Sequence, residues 1–470
     1  MIARLDVKME HLIKGVHLEG WRKMGDPKER ARQYYEQGAD ELLYMDVVAS
    51  LYDRNNLSSI VRNVASEVFI PITVGGGIRN LKAVHDLLAV GADKVAINTA
   101  ATIDPDILRA ISDTYGSQAT VLSIEAKRQP AGGWEAMTDN GRNRSGRDVV
   151  KWAVEGQRLG AGELLITSID QDGTGRGMDE NLIATVAREV DIPVIASGGV
   201  GTVGHVINVL RESRRERRCC RQDASYESIV DTRLEGKLCC SRRPGAFYTD
   251  YGGGMSGKTV VVDYGIGNVF SVCNAIRQVG GSAELTGDLS QIRHADRVIL
   301  PGVGAFARAM EALRQRGLDE TLRAFVETGR PFLGICIGMQ VLMDQSTEFG
   351  TYQGLGFIEG QVERIPDQTP DRSHLRVPHI GWATLKTDHH TGGGWETAPL
   401  SAMETTGAAV YFVHSYHCQT NDPAQRIAYT DYDGVAITAA IRRDNVVGVQ
   451  FHPERSAAAG QSLLKAFLKS

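Results

Sequence analysis

Cys336 lies in "GICIG" (334–338), a G-x-C-x-G stretch that follows an apolar run and precedes an amphipathic one. This is the pattern of a nucleophile elbow in its cysteine form, where a tight strand-to-helix turn needs small flanking residues, here Gly334 and Gly338. A helix N-terminus beside the sulfur favours the thiolate. A thiolate nucleophile uses an imidazole base, and the base uses an orienting acid. The run "VGVQFHPERS" offers both: His452 and Glu454 are two apart on a strand-like stretch and so share a face. Without such surroundings a cysteine is usually a small buried apolar residue, which is the reading for Cys273 and Cys418.

A second set of groups lies in the first half. Asp6 and Glu125 each follow short apolar runs, "ARLDV" and "TVLSIEAK". Two carboxyls facing one substrate serve as acid and base when their environments differ. Lys8 and Lys127, each two residues further along the same strand face, are the candidate ion-pair partners if the carboxyls are only structural. Two glycine clusters, "VGGGIR" with Gly76 and Gly77 and "ASGGVG" with Gly199, each follow an apolar strand. Backbone N–H groups at such glycines can approach an anion closely. Two grips on opposite sides of one site suit a long substrate with a phosphate at each end.

A third pattern is excluded by its context. Gly252 to Thr259 fits G-x-x-x-x-G-K-[ST], the phosphate loop of nucleotide hydrolases, but "VVVDYG" follows it and reads as a strand. A strand cannot supply a helix N-terminus to hold phosphate. The stretch reads instead as a linker into a new domain, and "MSGKTVVVDYG" resembles a protein start at Met255.

These groups need elements to position them. In residues 1–200 apolar runs at 41–48, 71–77, 94–100, 120–127, 163–170 and 193–199 alternate with amphipathic stretches. With "ARLDV" that makes seven parallel strands in βα units, one short of a closed eight-stranded barrel; an open doubly wound sheet is the rival. Polar or glycine residues end nearly every strand, as a barrel with its site at one mouth requires. A second α/β pattern begins at Thr259. The expected fold is α/β throughout: a (βα)8 TIM barrel over 1–210, incomplete at strand eight, an atypical Arg/Cys/Gly-rich segment over 211–256, and a second α/β domain over 257–470.

Bulk composition agrees. A chain of 470 residues, 42% hydrophobic and 23% charged, is that of a globular protein of more than one domain. A net charge of −5 gives no reason to invoke nucleic acid or a membrane surface, and no apolar run reaches spanning length. Seven cysteines and a charged N-terminus fit a reducing cytoplasm.

"LDVK", "LIKGVHLEG", "TVGGGIR", "ADKVAINTAA", "LGAGELLITSIDQDGT" and "IPVIASGG" resemble the cyclase family of imidazole glycerol phosphate synthases, over residues 1–205. The resemblance implies a bisphosphorylated ribotide substrate, cleaved and cyclised with ammonia at the barrel mouth, with no cofactor and no metal. It implies acid/base roles for Asp6 and Glu125; the family usually has Asp at the second position, so this carboxyl stands about 1.5 Å further out. Lys14 would sit on a loop over the mouth, and Gly76, Gly77, Asn98, Thr167, Asp172, Gly173, Ser197 and Gly199 would line the substrate and its phosphates. Glu41, Lys94 and Glu163 would form three members of a charged ammonia gate at the barrel floor; the family's fourth, an Arg, falls ahead of Met1.

The segment after "GHVINVL" departs from that family. Nine arginines fall within 211–243, with the pairs Cys219–Cys220 and Cys239–Cys240, and no clean apolar strand is visible. Its length suits strand eight and its helix, as a compensated reading-frame shift would leave it. Adjacent cysteines lack the x₂₋₄ spacing of a zinc pair. A poorly packed linker is expected, leaving two sheet edges unpaired.

"VVDYGIGN", "LPGVGAF", "GICIGMQ", "PHIGW" and "YFVHSYH" resemble class I glutamine amidotransferases, more narrowly the glutaminase partner of the same synthase. The resemblance implies a thioester route with Cys336 as nucleophile, His452 as proton shuttle and Glu454 as its orienter. Gly302 and Val303 would present backbone N–H groups to the oxyanion, and Gln340, Glu348, His414, Ser415 and Tyr416 would hold L-glutamine. Together the two resemblances imply a glutaminase joined to the cyclase that uses its ammonia, with the two domains docked. The alternatives are an amidotransferase acting on another substrate, such as a surface sugar, and a glutaminase with a non-catalytic barrel.

Overall fold

The computed structural model describes residues 1–49, 57–215, 229–230, 257–387, 400 and 409–470. The chain divides into two compact units, one from Met1–Pro244 with Asp371–Pro378, the other from Gly245–Pro370 with His379–Ser470.

In the first unit, β1 (Ile2–Lys8), β2 (Glu41–Asp46), β3 (Ile72–Gly75), β4 (Lys94–Ile97), β5 (Thr120–Arg128), β6 (Glu163–Ser168) and β7 (Val194–Ser197) pair in parallel and in chain order. Strands β2, β3, β4, β6 and β7 are buried along their whole length, as strands covered on both faces must be. Ile2, Leu43, Met45, Ala96, Val121, Leu165 and Ile195, from six of the strands, form one apolar cluster. Helices α1 (Pro27–Glu36), α2 (Leu57–Ala65), α3 (Leu81–Ala89), α4 (Asp106–Tyr115), α5 (Val149–Arg158), α6 (Glu180–Glu189) and α7 (Val203–Arg215) alternate with the strands. Asp26, Asn80, Asp148 and Asp179 start four of them by accepting backbone N–H groups of the first turn.

Two results bear on the segment expected to lack a strand. Helix α7 runs through position 211 to Arg215. Ile229–Val230 forms β8, parallel to β1 with Ile2 opposite Ile229 and Ala3 opposite Val230. Two β-branched residues therefore give β1 a partner, which corrects the expectation of an open edge there. No ladder joins β7 to β8 among the described residues. Cys219, Cys220, Cys239, Cys240 and Met255 lie outside the described residues.

Two hairpins extend this sheet. His11–Val16 pairs with Glu19–Gly25 beyond β1, and Trp134–Thr138 pairs with Asn143–Asp148 beyond β5. They follow the strands that carry Asp6 and Glu125.

The second unit centres on an eight-stranded sheet. Its strands are β9 (Thr259–Val262), β10 (Ala283–Thr286), β11 (Arg297–Leu300), β12 (Phe332–Ile335), β13 (Lys386–Thr387), β14 (Arg426–Tyr432), β15 (Val435–Arg443) and β16 (Val446–Val449). Their order is β10-β9-β11-β12-β16-β15-β14-β13, parallel from β10 through β16 and antiparallel beyond. Lys258 leads directly into buried β9 and pairs with Glu284 at 3.0 Å, so the G-K-T pattern opens a strand and no phosphate-holding helix. Gly252 to Ser256 lie outside the described residues.

Candidate active sites

Cys336 sits between β12 and a four-residue helix, Ile337–Gln340, with φ 53° and ψ −110°. That left-handed backbone is costly for a residue with a side chain and persists where surroundings impose it. They do so here. The Cys336 N–H donates to Val449 O of β16 at 2.8 Å. A Cβ at Gly338 would lie 1.8 Å from Leu300 O of β11, and one at Gly334 would lie 2.5 Å from Gly338 O. The elbow is as tight as its glycines suggest, though its helix is a single turn.

His452 and Glu454 meet differently from the expectation. β16 ends at Val449, and Pro453–Arg455 forms a 3₁₀ turn that His452 precedes, so the pair does not share a strand face. Proline at the first position of the turn ends extended pairing and folds Glu454 back. His452 Nδ1 lies 2.8 Å from Glu454 Oε1, both side chains buried. Among the described residues His452 Nε2 makes no regular hydrogen bond, and the Cys336 thiol acts on the ring. Burial disfavours the ring's charge, but Glu454 and Cys336 outweigh it and hold the imidazole well above its ordinary pKa. An oriented imidazole beside a sulfur is a base with its nucleophile.

The loop after β11 carries Pro301 to Gly304. A Cβ at Gly302 would meet Tyr264 Oη at 2.5 Å and Ile337 Cβ at 2.9 Å, so the backbone there passes close against the elbow. The N–H groups of Gly302 and Val303 donate to no acceptor among the described residues.

The groups expected to hold glutamine are largely buried. Gln340 Nε2 donates to Tyr416 O at 3.0 Å and to Gln450 Oε1 at 3.1 Å, so its amide nitrogen is spent inside the fold. Glu348 Oε2 accepts the Phe306 N–H at 2.6 Å, and burial pushes its carboxyl up to about 7. His414 Nδ1 lies 2.8 Å from Tyr416 O and its Nε2 lies 3.1 Å from His379 Nδ1; burial holds this ring well below its ordinary pKa. Ser415 O accepts the Ile365 N–H at 2.9 Å. Sequence reading missed Gln450, whose Nε2 donates to Cys336 Sγ at 3.6 Å. A lone polar residue in the apolar run "VGVQF" was the available signal.

In the first unit a cavity of about 400 Å³ is lined by Glu125, Gly76, Gly77, Asn98 and Asp139 among others. Glu125 is buried, and its Oε2 accepts the Gly141 N–H at 2.8 Å. Burial raises its pKa to about 7, with Arg4 and that N–H opposing and Asp6 and Asp139 adding to the rise. Asp6 is held by Arg4, whose Nε donates to its Oδ1 at 2.8 Å. The lysines expected as partners go elsewhere: Lys127 pairs with Asp170 at 2.7 Å, and Lys8 lies over the Trp21 ring. Thr167 and Ser197 accept from Arg4 Nη1 at 3.0 and 3.2 Å.

The first hairpin is anchored by Asp172, whose Oδ2 accepts the Leu18 N–H at 3.2 Å and whose O accepts the His17 N–H at 2.9 Å. A Cβ at Gly173 would lie 2.5 Å from Gly15 O. Lys14 stands on this hairpin as a strand residue opposite Arg22, and its charge acts on Asp172. The glycine clusters are needed by the backbone itself. A Cβ at Gly76 would lie 2.3 Å from Asp46 O, and one at Gly199 would lie 2.0 Å from Gly177 O. Their positive φ angles, 106° and 92°, reinforce the requirement.

At the other ends of the strands, Lys94 Nζ lies 2.9 Å from Glu41 and 2.8 Å from Glu163, all three buried. Glu41 also accepts from Thr73 Oγ1, and among the described residues Glu163 Oε1 has no hydrogen-bond partner. Burial pushes the Glu163 carboxyl up to about 7, with Lys94 pulling it down. Among the described residues no cluster of metal-ligating side chains is present, and no helix is long and apolar enough to cross a membrane.

Residues 1–217 match the family described as "Histidine biosynthesis protein", and residues 260–470 match "Glutamine amidotransferase class-I". The imidazole glycerol phosphate synthase subunit HisF of Legionella pneumophila is 62% identical over 201 residues, which is 43% of this chain and 95% of that protein.

Proposed function

Because the chain belongs to the HisF family in its first half and matches the class I glutamine amidotransferases over residues 260–470, we propose that it is a single-chain imidazole glycerol phosphate synthase of histidine biosynthesis. Glutamine hydrolysis in the second unit yields ammonia. The first unit uses it to convert phosphoribulosyl-formimino-AICAR-phosphate to imidazole glycerol phosphate and AICAR. The observation that carries this reading is the pairing, in one chain, of a strained Cys336 beside the His452–Glu454 couple with a buried, near-neutral Glu125 lining a cavity of ligand size. As a biosynthetic enzyme it works in the cytoplasm.

Cys336 Sγ attacks the side-chain amide carbon of L-glutamine. His452 Nε2 takes the thiol proton and delivers it to the departing ammonia. A thioester forms, and water activated by the same nitrogen releases glutamate and restores the thiol. Glu454 keeps the imidazole oriented, and the N–H groups of Gly302 and Val303 receive the oxyanion. Gln340, Glu348, His414, Ser415 and Tyr416 shape the glutamine site, the first and third from within the fold. In the barrel, Glu125 and Asp6 serve as acid/base groups. Gly76, Gly77, Asn98, Thr167, Asp172, Gly173, Ser197, Gly199 and Lys14 surround the ribotide and its phosphates. Glu41, Lys94 and Glu163 gate the floor through which ammonia enters.

The test is product formation from the ribotide with glutamine, and again with free ammonium. Turnover with both supports the proposal; imidazole product from neither ends it. Glu125→Gln is expected to lower ammonium-supported turnover about a hundredfold while glutamate release continues. Because Arg4 already engages Thr167 and Ser197, a second reading is kept in which the barrel aminates another substrate, such as a surface sugar. Robust glutamate release without imidazole product would favour a glutaminase with a non-catalytic barrel, or this second reading if another substrate is then aminated.

A further inference from the structure

The barrel's mouth holds a cation that the mechanism above does not use. Arg4 is buried on β1, two residues before Asp6 and on the same strand face. Its guanidinium reaches Asp6 through Nε at 2.8 Å, and Thr167 of β6 and Ser197 of β7 through Nη1 at 3.0 and 3.2 Å. One planar group thus ties three strands together at the ends where the site lies. A lysine could not replace it, because a point ammonium has no fixed fork of donors.

The charges around Arg4 give this geometry its consequence. Asp6, Asp172 and Glu125 all act on it. Glu125 is faced by Arg4 and Asp6 from β1 and by Asp139 from the second hairpin. Asp172 is faced by Arg4, Asp6 and Lys14 of the first hairpin. Asp46, Arg79 and Asp104 line the same cavity as Glu125. Among the described residues Glu125 accepts one backbone N–H and no side-chain donor, whereas Asp6 gives an oxygen to the guanidinium. A carboxylate so bound is held in one orientation. Thr167 and Ser197, accepting from Arg4, keep their own O–H groups to donate to a substrate anion.

We propose that Arg4 is a positioning residue of the barrel reaction, fixing the orientation of Asp6 and of the Thr167 and Ser197 hydroxyls around the substrate that Asp6 and Glu125 act on. This rests on reading the barrel as an ammonia-using cyclase. Arg4 opposes the effect of burial on Glu125, so removing its charge raises the titration midpoint of Glu125.

The test uses the full chain with ¹³C-carboxyl glutamate, the Glu125 signal being assigned by Glu125→Gln. In Arg4→Met the midpoint is expected to rise by roughly one pH unit. Arg4→Lys keeps the charge and loses the fork. Its midpoint should stay near the parent's while ammonium-supported kcat falls about tenfold at unchanged KM. An unmoved midpoint in folded Arg4→Met, or full kcat in Arg4→Lys, overturns the proposal. If Arg4→Met does not fold, Arg4→Lys decides. Absence of imidazole product from the parent protein would sink the cyclase reading, and the carboxyl titration would still judge Arg4.

Discussion

Cys336→Ser is expected to release glutamate from glutamine about 10⁴-fold more slowly than the parent, with ammonium-supported turnover of the ribotide unchanged. The size of the loss follows from the site. A serine hydroxyl is ionised far less readily than a thiol, and His452 is placed for a sulfur nucleophile. The backbone at Cys336 is held at φ 53° by Gly334, Gly338 and the bond to Val449, none of which the substitution touches. The strained turn therefore remains, and only the attacking atom is altered. Steady-state glutamate release, read beside ammonium-supported product formation on one preparation, checks both halves. Glutamate release at the parent's rate would remove the assignment of the nucleophile. A parallel loss with ammonium would mean that Cys336 supports the fold and does not act alone in hydrolysis.

The barrel was legible because its signals are local. Each strand is a short apolar run, nearly every one ends on a polar or glycine residue, and the helices between are amphipathic, four of them capped by a side chain, so seven strands could be counted from the residues. The thiol site was legible for a similar reason: G-x-C-x-G fixes a turn within five residues. What escaped depends on contacts between distant parts of the chain. The ion pair of Asp6 lies on its own strand, but reading forward along the strand gave Lys8, and the role of Arg4 shows only when Thr167 and Ser197 arrive beside it. The glycine clusters read as anion grips, yet Gly76 and Gly199 are already required by the carbonyls of Asp46 and Gly177. β8 escaped because a two-residue strand carries no periodicity; its pairing with β1 is a tertiary fact. The His452–Glu454 contact was foreseen with the wrong geometry, since a proline between two residues can turn them onto each other as effectively as a pleat.

Lys94→Met is expected to cost about 3–5 kcal/mol of stability, the range for removing one partner from a buried charge network. Lys94 is the cation between Glu41 and Glu163, with all three side chains inaccessible to water. A methionine fills the space but leaves two carboxyls facing each other in an apolar floor. The loss should depend on pH, and its sign can be worked out. The Glu163 carboxyl is raised in the folded protein from 4.5 to about 7. A group raised on folding contributes stability that is full below its unfolded value and is lost as pH climbs through the folded one. Lys94 is what restrains that rise, so without it the ionised form becomes more costly still. The deficit of Lys94→Met against the parent should therefore be larger at about pH 8 than at about pH 5.5. Denaturant unfolding at both pH values measures it, and equal stability of the two proteins throughout would show that the network carries no such weight. Replacing all three charges together, as Glu41→Gln, Lys94→Met and Glu163→Gln, should recover much of the loss, because no unpaired charge then remains buried. The same substitution tests the floor as a gate. If these charges control entry of ammonia, glutamine-supported turnover should fall relative to ammonium-supported turnover in the folded variant, whereas a purely structural network would leave that ratio where it was.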